Sequence, residues 1–386
     1  MMMMMANELP EDLVTQILLW LPVVSLLRFK CVCKSWYALI THQNFVRKHL
    51  LHNNNNSNTH LLLKTSNKTM DDYVVSTISY EGLQIYPLTQ PLPPQYFRNG
   101  ENFGEKFSIS VVGSCNGLVC LHAYRTLKVV IWNPTTRETK VVPESNLPMF
   151  APAGYCTRIQ GMGFGFDAKT NGYKIINFVS MYEPNFNDYF MKDVKEIIYQ
   201  KEVYSLSTDS WRKVDGPQCF ISEIGPMTYT TGMGSWLAYV DDPNLFVLSF
   251  DMSDEVFLET PLPDNVNGQE LFVLNESIAM VAFMPVDEKW REIRYDIWLL
   301  LKVGVKDSWN RLFTIGPSFA KIHRPLGFWK NDTMFWNKID NGQLFLYDPS
   351  TKQMTDLQIH GHSNAMQLVT YMETLVSVKG GNESKE

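Results

Sequence analysis

Apolar and polar positions follow two different periods along the chain, and the change falls near residue 60. Before it the period is helical. Leu13, Ile17 and Leu21 recur every four residues with Val14 and Leu18 beside them, a stripe that one helical face can bury. Pro10 suits a first helical turn, Glu11 and Asp12 follow where carboxylates meet the helix dipole, and Pro22 stops the run. Further apolar segments at 23–29, 34–40 around Trp36, and 45–50 predict three or four helices in all. A unit this small buries little surface, so its surplus of Leu, Val, Phe and Trp points to a partner. The polar, Asn-rich tract that follows predicts a linker over 51–60.

From 61 onward short apolar runs alternate with turn residues. Val129-Val130-Ile131-Trp132 leads into Asn133-Pro134-Thr135-Thr136, Phe246 to Phe250 into Asp251-Met252-Ser253-Asp254, and Leu344 to Tyr347 into Asp348-Pro349-Ser350-Thr351. An apolar strand ends in an aromatic, then Asn or Asp, with Ser or Thr two residues on. An Asx side chain in that place can accept from the backbone two residues ahead and reverse the strand. Related units precede Asp209-Ser210-Trp211 and Asp307-Ser308-Trp309. With Trp132, Leu206, Phe250, Leu301 and Tyr347 as equivalent points, the intervals are 74, 44, 51 and 46 residues. Such a period, with several strands in each, predicts propeller blades of the kelch or WD kind or a related closed β fold over 61–380. The long first interval reads as an extra hairpin at 163–176 plus a polar insertion near 182–196, and 381–386 as a polar tail.

Composition agrees. With 45% hydrophobic and 19% charged residues among 386, wholesale disorder is excluded. The 10 Trp, 17 Tyr and 22 Phe, with 22 Gly and 20 Pro, suit many short strands and tight turns. A formal charge of −6 argues against a nucleic-acid binder. No apolar run reaches the ~18 residues of a membrane-spanning helix, and the N-terminus lacks the basic region and cleavage site of a signal peptide. Six cysteines (31, 33, 115, 120, 156, 219) without an export signal read as reduced thiols of the cytosol or the nucleus.

Candidate chemistry is sparse. Cys31-x-Cys33 and Cys115-x4-Cys120 have no second pair at metal-ligand spacing, and His360-x-His362 reads as a turn, so no metal is expected. Gly161-x-Gly163-x-Gly165 fails the dinucleotide spacing and reads as strand turns. No phosphate loop, nucleophile elbow or zincin motif occurs. Ser207-x-Asp209 before Trp211 lacks the Gly and Thr of a sialidase Asp-box, which leaves an enzyme on a propeller as a weaker alternative, and no cofactor is expected. Trp298, Trp329 and Trp336 read as core. Substrate contacts are expected instead from turns and insertions at one rim: Tyr182, Asp188 and Asp193; Asp241 and Asp242; Asp287 and Glu288, with the stretch running on to Arg294.

Leu9-Pro10-Glu11-Asp12-Leu13, Ile17-Leu18, Leu21-Pro22, Leu26-Leu27-Arg28-Phe29 and Cys31-Val32-Cys33-Lys34-Ser35-Trp36 together resemble an F-box over residues 9–50. Leu19 and Trp20 depart from it, standing where many F-boxes carry a polar or basic residue. Gly113-Ser114-Cys115-Asn116-Gly117-Leu118-Val119-Cys120, Ile131 to Arg137 and Gly163-Phe164-Gly165-Phe166-Asp167 are similar to signatures of the plant F-box-associated, kelch-like domain. Within that family the S-locus F-box and S-locus-F-box-like group looks nearest. The resemblance implies a small all-α F-box followed by a kelch-like all-β domain. It further implies a non-catalytic substrate receptor of a cullin–RING ubiquitin ligase, docking on a Skp-type adaptor and through it on cullin and RING subunit.

Carried onto this sequence, the adaptor contacts would be Leu9, Pro10, Leu13, Ile17, Leu18, Leu21, Pro22, Leu26, Leu27, Arg28, Val32, Cys33, Lys34 and Trp36; core of the helical unit is the alternative for Leu21, Leu26 and Trp36, with adaptor contact expected for at least some of them. In the S-locus group the protein substrate would be the basic pistil ribonuclease. Residues 1–50 carry +2, which leaves −8 on the remainder. Such an acidic face would speed encounter with a basic target and equally serves solubility. The alternatives are a receptor for an unrelated target, such as an immune or developmental regulator, and a kelch-like scaffold outside any ligase.

Overall fold

The computed structural model describes residues 9–55, 59–66, 73–79, 83–88, 109–123, 127–145, 154–183, 197–222, 227–240, 244–266, 268–286, 292–319, 322–338 and 341–379. Four helices come first: α1 (Glu11–Leu19), α2 (Val23–Phe29), α3 (Lys34–Thr41) and α4 (Gln43–Asn55). The expected linker is in large part helix, because α4 runs on through the Asn tract to Asn55 and buries Asn53. The expected tail at 381–386 lies outside the described residues.

Six antiparallel sheets follow. The first blade takes β1 (Thr59–Ser66), β2 (Tyr73–Ile78) and β3 (Ile85–Pro87); the second β4 (Ile109–Cys115), β5 (Leu118–Ala123), β6 (Val129–Trp132) and β7 (Thr139–Val141). The third holds β8 (Cys156–Asp167), β9 (Gly172–Tyr182), β10 (Ile197–Ser205) and β11 (Ser210–Val214). In the fourth the innermost position is split between β12 (Phe220–Ile221) and β13 (Thr228–Thr230), followed by β14 (Met233–Tyr239), β15 (Leu245–Asp251) and β16 (Phe257–Pro261). The fifth consists of β17 (Gly268–Leu274), β18 (Ser277–Pro285), β19 (Glu292–Leu300) and β20 (Trp309–Phe319), the sixth of β21 (Ile322–Phe328), β22 (Met334–Lys338), β23 (Leu344–Asp348) and β24 (Gln353–Asp356). The last strand, β25 (Gln367–Met372), returns to the first blade and pairs with β1, Thr59 opposite Met372 and Lys64 opposite Gln367. Inner strands touch in the cycle β25, β4, β8, the fourth blade, β17, β21 and β25 again, so the ring is closed. The protein is a helical unit joined to a six-bladed β-propeller.

The five repeat points read from the sequence lie at or beside the ends of β6, β10, β15, β19 and β23, the third strands of blades two to six. The Asx prediction holds atom for atom at Asn133, Asp251 and Asp348, and the turn at Asp167, which the pattern did not single out, has the same geometry. Asn133 Oδ1 accepts from the N–H of Thr135 (2.9 Å) and Thr136 (3.1 Å), and Asp167, Asp251 and Asp348 accept in the same way from Lys169 and Thr170, Ser253 and Asp254, and Ser350 and Thr351. Four residues after each, Arg137, Asn171, Glu255 and Lys352 complete the reversal with φ between 51° and 63°. The tryptophans of the two Asp-Ser-Trp units join blades: Trp211 Nε1 donates to Pro143 O at 2.7 Å and Trp309 Nε1 to Pro261 O at 3.0 Å.

Two expectations are corrected. Residues 163–176 are no extra hairpin but part of the first two strands of blade three, and the interval is long because β8 and β9 are long and flanked by long connections. Gly161, Gly163 and Gly165 do not form turns either. They alternate within β8, on the one face against which blade four packs. A Cβ on Gly161 would lie 2.9 Å from Ile221 Cγ2, one on Gly163 2.5 Å from Met227 Sδ, and one on Gly165 2.9 Å from Met252 Cγ. Without those methyls, Trp236 Nε1 reaches Met162 O at 3.1 Å, and the Tyr229 hydroxyl accepts from Phe166 N at 3.0 Å.

A buried ion group closes the same seam. Lys174 Nζ meets Asp167 Oδ2 (2.7 Å), Glu255 Oε1 (2.8 Å) and Met252 O (2.7 Å). Burial pushes the Asp167 carboxyl up, but Lys174, the Thr170 hydroxyl and two turn N–H groups more than offset it and hold it below the ordinary range. Gly163→Ala is expected to cost about 1–3 kcal/mol of unfolding free energy through overpacking. At Gly172, where the added carbon would approach the Thr170 hydroxyl at 3.3 Å and Ser207 no closer than 3.9 Å, Ala should change stability by less than about 0.5 kcal/mol. Urea denaturation of both variants checks this, and equal losses would contradict the seam account.

Candidate docking surfaces

Pro10 and Pro22 stand at the N-caps of α1 and α2, where a missing N–H costs nothing, and their carbonyls accept from Leu13 and Val14 and from Ser25 and Leu26. The four helices pack around Leu18, Val23, Leu26, Ile40 and Phe45, with Val14, Leu21, Leu27, Phe29 and Trp36 half-buried at the edge. Trp36 leans on Phe29 with ring centroids 5.2 Å apart.

The other side of α1 faces outward. Leu9 is 59% exposed, Leu13 46%, Ile17 53% and Trp20 71%, and Val24, Val32 and Tyr37 add to the exposed apolar surface of the helical unit. Apolar exposure concentrated on one small unit marks a binding face rather than scatter. Pro10, Pro22, Arg28, Cys33 and Lys34 are exposed as well. Among the expected adaptor contacts, Leu18 and Leu26 are corrected to core: they are 2% and 0% exposed, facing the helical interior. Leu21, Leu27 and Trp36 pack mainly inward. Trp20, Val24 and Tyr37 share this exposed apolar surface, and sequence reasoning did not count them among the expected contacts. Trp20 was legible, since it falls three residues after Ile17 on the same helical face.

His49 ties α4 to the end of α1. Its Nε2 donates to Leu21 O at 3.0 Å and its Nδ1 accepts from Asn53 Nδ2 at 3.4 Å, an arrangement that uses the neutral ring. Burial lowers its pKa, with the Leu21 carbonyl partly opposing.

The helical core has one more member, and it comes from the far end of the chain. Leu375, 5% exposed, sits with Leu18, Val23, Leu26, Ile40 and Phe45. The segment after β25 is anchored beside it, where Asn133 Nδ2 donates to Thr374 O (3.2 Å) and Val376 O (2.8 Å), and Val378 N donates to Glu138 Oε2 (3.1 Å). Val376 and Val378 continue into the core shared by blades two and three. Part of the apolar surplus assigned to a partner is thus satisfied within the chain.

Because strands alternate in direction, every blade presents two kinds of ends. The helical unit joins at the start of β1, on the face that carries the four Asx turns and the C-terminal segment. The opposite face carries the ends of β9 and β10 at Tyr182 and Ile197, of β14 and β15 at Tyr239 and Leu245, and of β18 and β19 at Pro285 and Glu292. Tyr182 is half-buried there. Asp188, Asp193, Asp241, Asp242, Asp287 and Glu288 fall between these ends and lie outside the described residues.

All six cysteines are free, and among the described residues no cluster of His, Cys, Asp and Glu could hold a metal. Burial raises the Cys115 thiol to about 12. No helix among the described residues is long and apolar enough to cross a membrane.

Comparison with known proteins gives two family matches: an F-box domain over residues 7–48 and an F-box associated beta propeller domain over 61–378. The chain is 27% identical to an F-box/kelch-repeat protein of Arabidopsis thaliana over 96% of both chains. It is 26% identical to an F-box protein of the same plant, covering 96% of this chain and 92% of the relative. A third similar protein, the F-box protein CPR1 of Arabidopsis thaliana, is 25% identical over 91% of this chain and 84% of its own.

The neutral His49 gives the helical unit a pH dependence of definite sign. Its folded pKa is depressed, so the unfolded chain, with histidine titrating near ~6.5, binds the extra proton first and stability falls as pH drops below that value. Amide exchange in α4 is expected to accelerate more between pH 7 and 5 in the wild type than in His49→Gln, after correction for intrinsic rates. An equal acceleration in both would place the acid sensitivity elsewhere.

Proposed function

The chain belongs to the F-box proteins that carry an F-box-associated β-propeller, and we propose on that footing that it is the substrate-recognition subunit of an SCF-type cullin–RING ubiquitin ligase. An F-box implies a Skp-type adaptor as partner and a protein as substrate. The observation that carries the proposal is the outward row Leu9, Leu13, Ile17 and Trp20, apolar side chains left uncovered on a unit whose own core is already filled. Such side chains gain by burial against partner helices.

Arg28, Val32, Cys33 and Lys34 extend the proposed adaptor face, whereas Leu18 and Leu26 support it from within. The chain contributes proximity, and transfer chemistry belongs to the recruited conjugating enzyme. The working compartment is the cytosol or the nucleus, where cullin ligases are assembled.

The substrate is proposed to bind on the face opposite the helices, around Tyr182 and the segments holding Asp188, Asp193, Asp241, Asp242, Asp287 and Glu288. Three strand-end pairs on consecutive blades support this reading, because their intervening segments share one rim. The finer proposal, an S-locus receptor for a basic pistil ribonuclease, is supported by the propeller signatures and by the −8 carried beyond residue 50. It predicts ribonuclease binding to the full chain with an association rate that falls steeply as salt rises. A target that is not basic would leave the ligase role intact and remove the S-locus one.

The ligase role is tested with Leu13→Asp combined with Ile17→Asp, both at exposed positions, so the melting temperature should stay within a few degrees. Placing charges where apolar contacts form costs several kcal/mol, which is at least about 100-fold in affinity. Wild-type bait is expected to retain adaptor and cullin from plant extract and the double variant to lose both. Equal capture by the two baits would overturn the assignment of the face.

A further inference from the structure

Four turns on the helical face share one Asx geometry, yet three use Asp (167, 251, 348) and one uses Asn (133). The acceptor oxygen does the same work in all four. What asparagine adds is an NH2 group, and both bonds it donates here go to the segment after β25, to Thr374 O and Val376 O. Between those two carbonyls lies Leu375, the residue from the C-terminal segment that enters the helical core. Gly117 makes room for the same segment: with φ at +80°, it would place a Cβ 2.5 Å from both Met372 O and Thr374 Cγ2.

We propose that the segment from Glu373 to Val378 is a strap that fixes the helical unit at one angle on the propeller, with Leu375 and Asn133 as positioning residues for ubiquitin transfer. The proposal rests on the ligase reading for its consequence, not for its geometry. The chain passes from the helical unit to the propeller once, between α4 and β1. A single covalent connection leaves two bodies free to swing, whereas a second attachment removes that freedom. The strap is that second attachment, with an apolar plug in one body and hydrogen bonds and two valines in the other. Adaptor docking on the outer side of the helices and substrate on the far face would then stand at a set distance and direction. A lysine presented in a fixed place reacts faster than one that samples many.

Asn133→Asp separates the two roles of that side chain. It keeps the oxygen that its three counterparts use, removes the donors, and sets a carboxylate against two carbonyls. Leu375→Ser removes the plug. Small-angle scattering of the full chain alone is the first readout: the wild type is expected to show one compact distance distribution, and both variants a larger maximum dimension.

The second readout is self-ubiquitination in a ligase reconstituted from Skp-type adaptor, cullin, RING subunit, conjugating enzyme and ubiquitin, with modified lysines mapped by mass spectrometry. The wild type is expected to be modified on a restricted set of propeller lysines. Asn133→Asp should bind adaptor equally well yet spread modification over more lysines, with a several-fold slower rate at the original ones. A role confined to stability would lower yield without moving the sites. If Leu375→Ser fails to fold its helical unit, Asn133→Asp decides alone, since it leaves the helical core untouched. Unchanged scattering and an unchanged lysine pattern in Asn133→Asp would overturn the strap. Wider scattering in the variants with no adaptor bound by the wild type would support the strap and sink the ligase reading instead.

Discussion

The pairing of β25 with β1 is the interaction on which the remaining architecture depends. It joins residues some three hundred positions apart, Leu61 opposite Thr370 and Leu63 opposite Leu368, and gives the first blade an innermost strand. Without it the ring has two open sheet edges, each a row of unpaired backbone groups. With it, the start of β1 and the end of β25 lie side by side on one face. The helices that precede β1 and the segment that follows β25 must therefore meet there. Leu375 in the helical core is a consequence of how the ring closes.

That same closure divides the molecule's work. One face is held down by short Asx turns, the helical unit and the C-terminal segment, and its geometry leaves little to vary. The other face receives the second-to-third strand connections, whose ends at Tyr182, Tyr239 and Pro285 stand on consecutive blades. Rigid seams keep the two faces in register. The glycines of β8 let blade four approach closely, and Lys174 locks the seam among Asp167, Glu255 and Met252 O. A body with an exposed apolar helical face at one end and the second-to-third strand connections at the other suits the proposed receptor, whose task is placement.

Much of this was legible in the residues. Period-four spacing marked α1, and the aromatic–Asx–Ser/Thr pattern at three points together with the two Asp-Ser-Trp units marked five of the six blades, because strand ends and turns are local. The first blade was illegible for the opposite reason: its strands come from both ends of the propeller sequence, and no local repeat carries that. The positive-φ residues at Arg137, Asn171, Glu255 and Lys352 were hidden because none is glycine. Gly161, Gly163 and Gly165 looked like turn formers, and only the side chains of blade four explain them. On the helical unit, composition showed an apolar excess but could not sort Leu18 and Leu26, which face inward, from Leu13 and Ile17, which face out. Helical phase alone would have sorted them, had the direction of the core been known.

The central claim is that adaptor and substrate occupy opposite faces of one rigid body. Hydrogen exchange of the full chain, with and without saturating Skp-type adaptor, tests it most directly. The account predicts slowed exchange in α1, α2 and the start of α3, with no change at the ends of β9, β14 and β18. Protection at those strand ends, or none in α1, would contradict it.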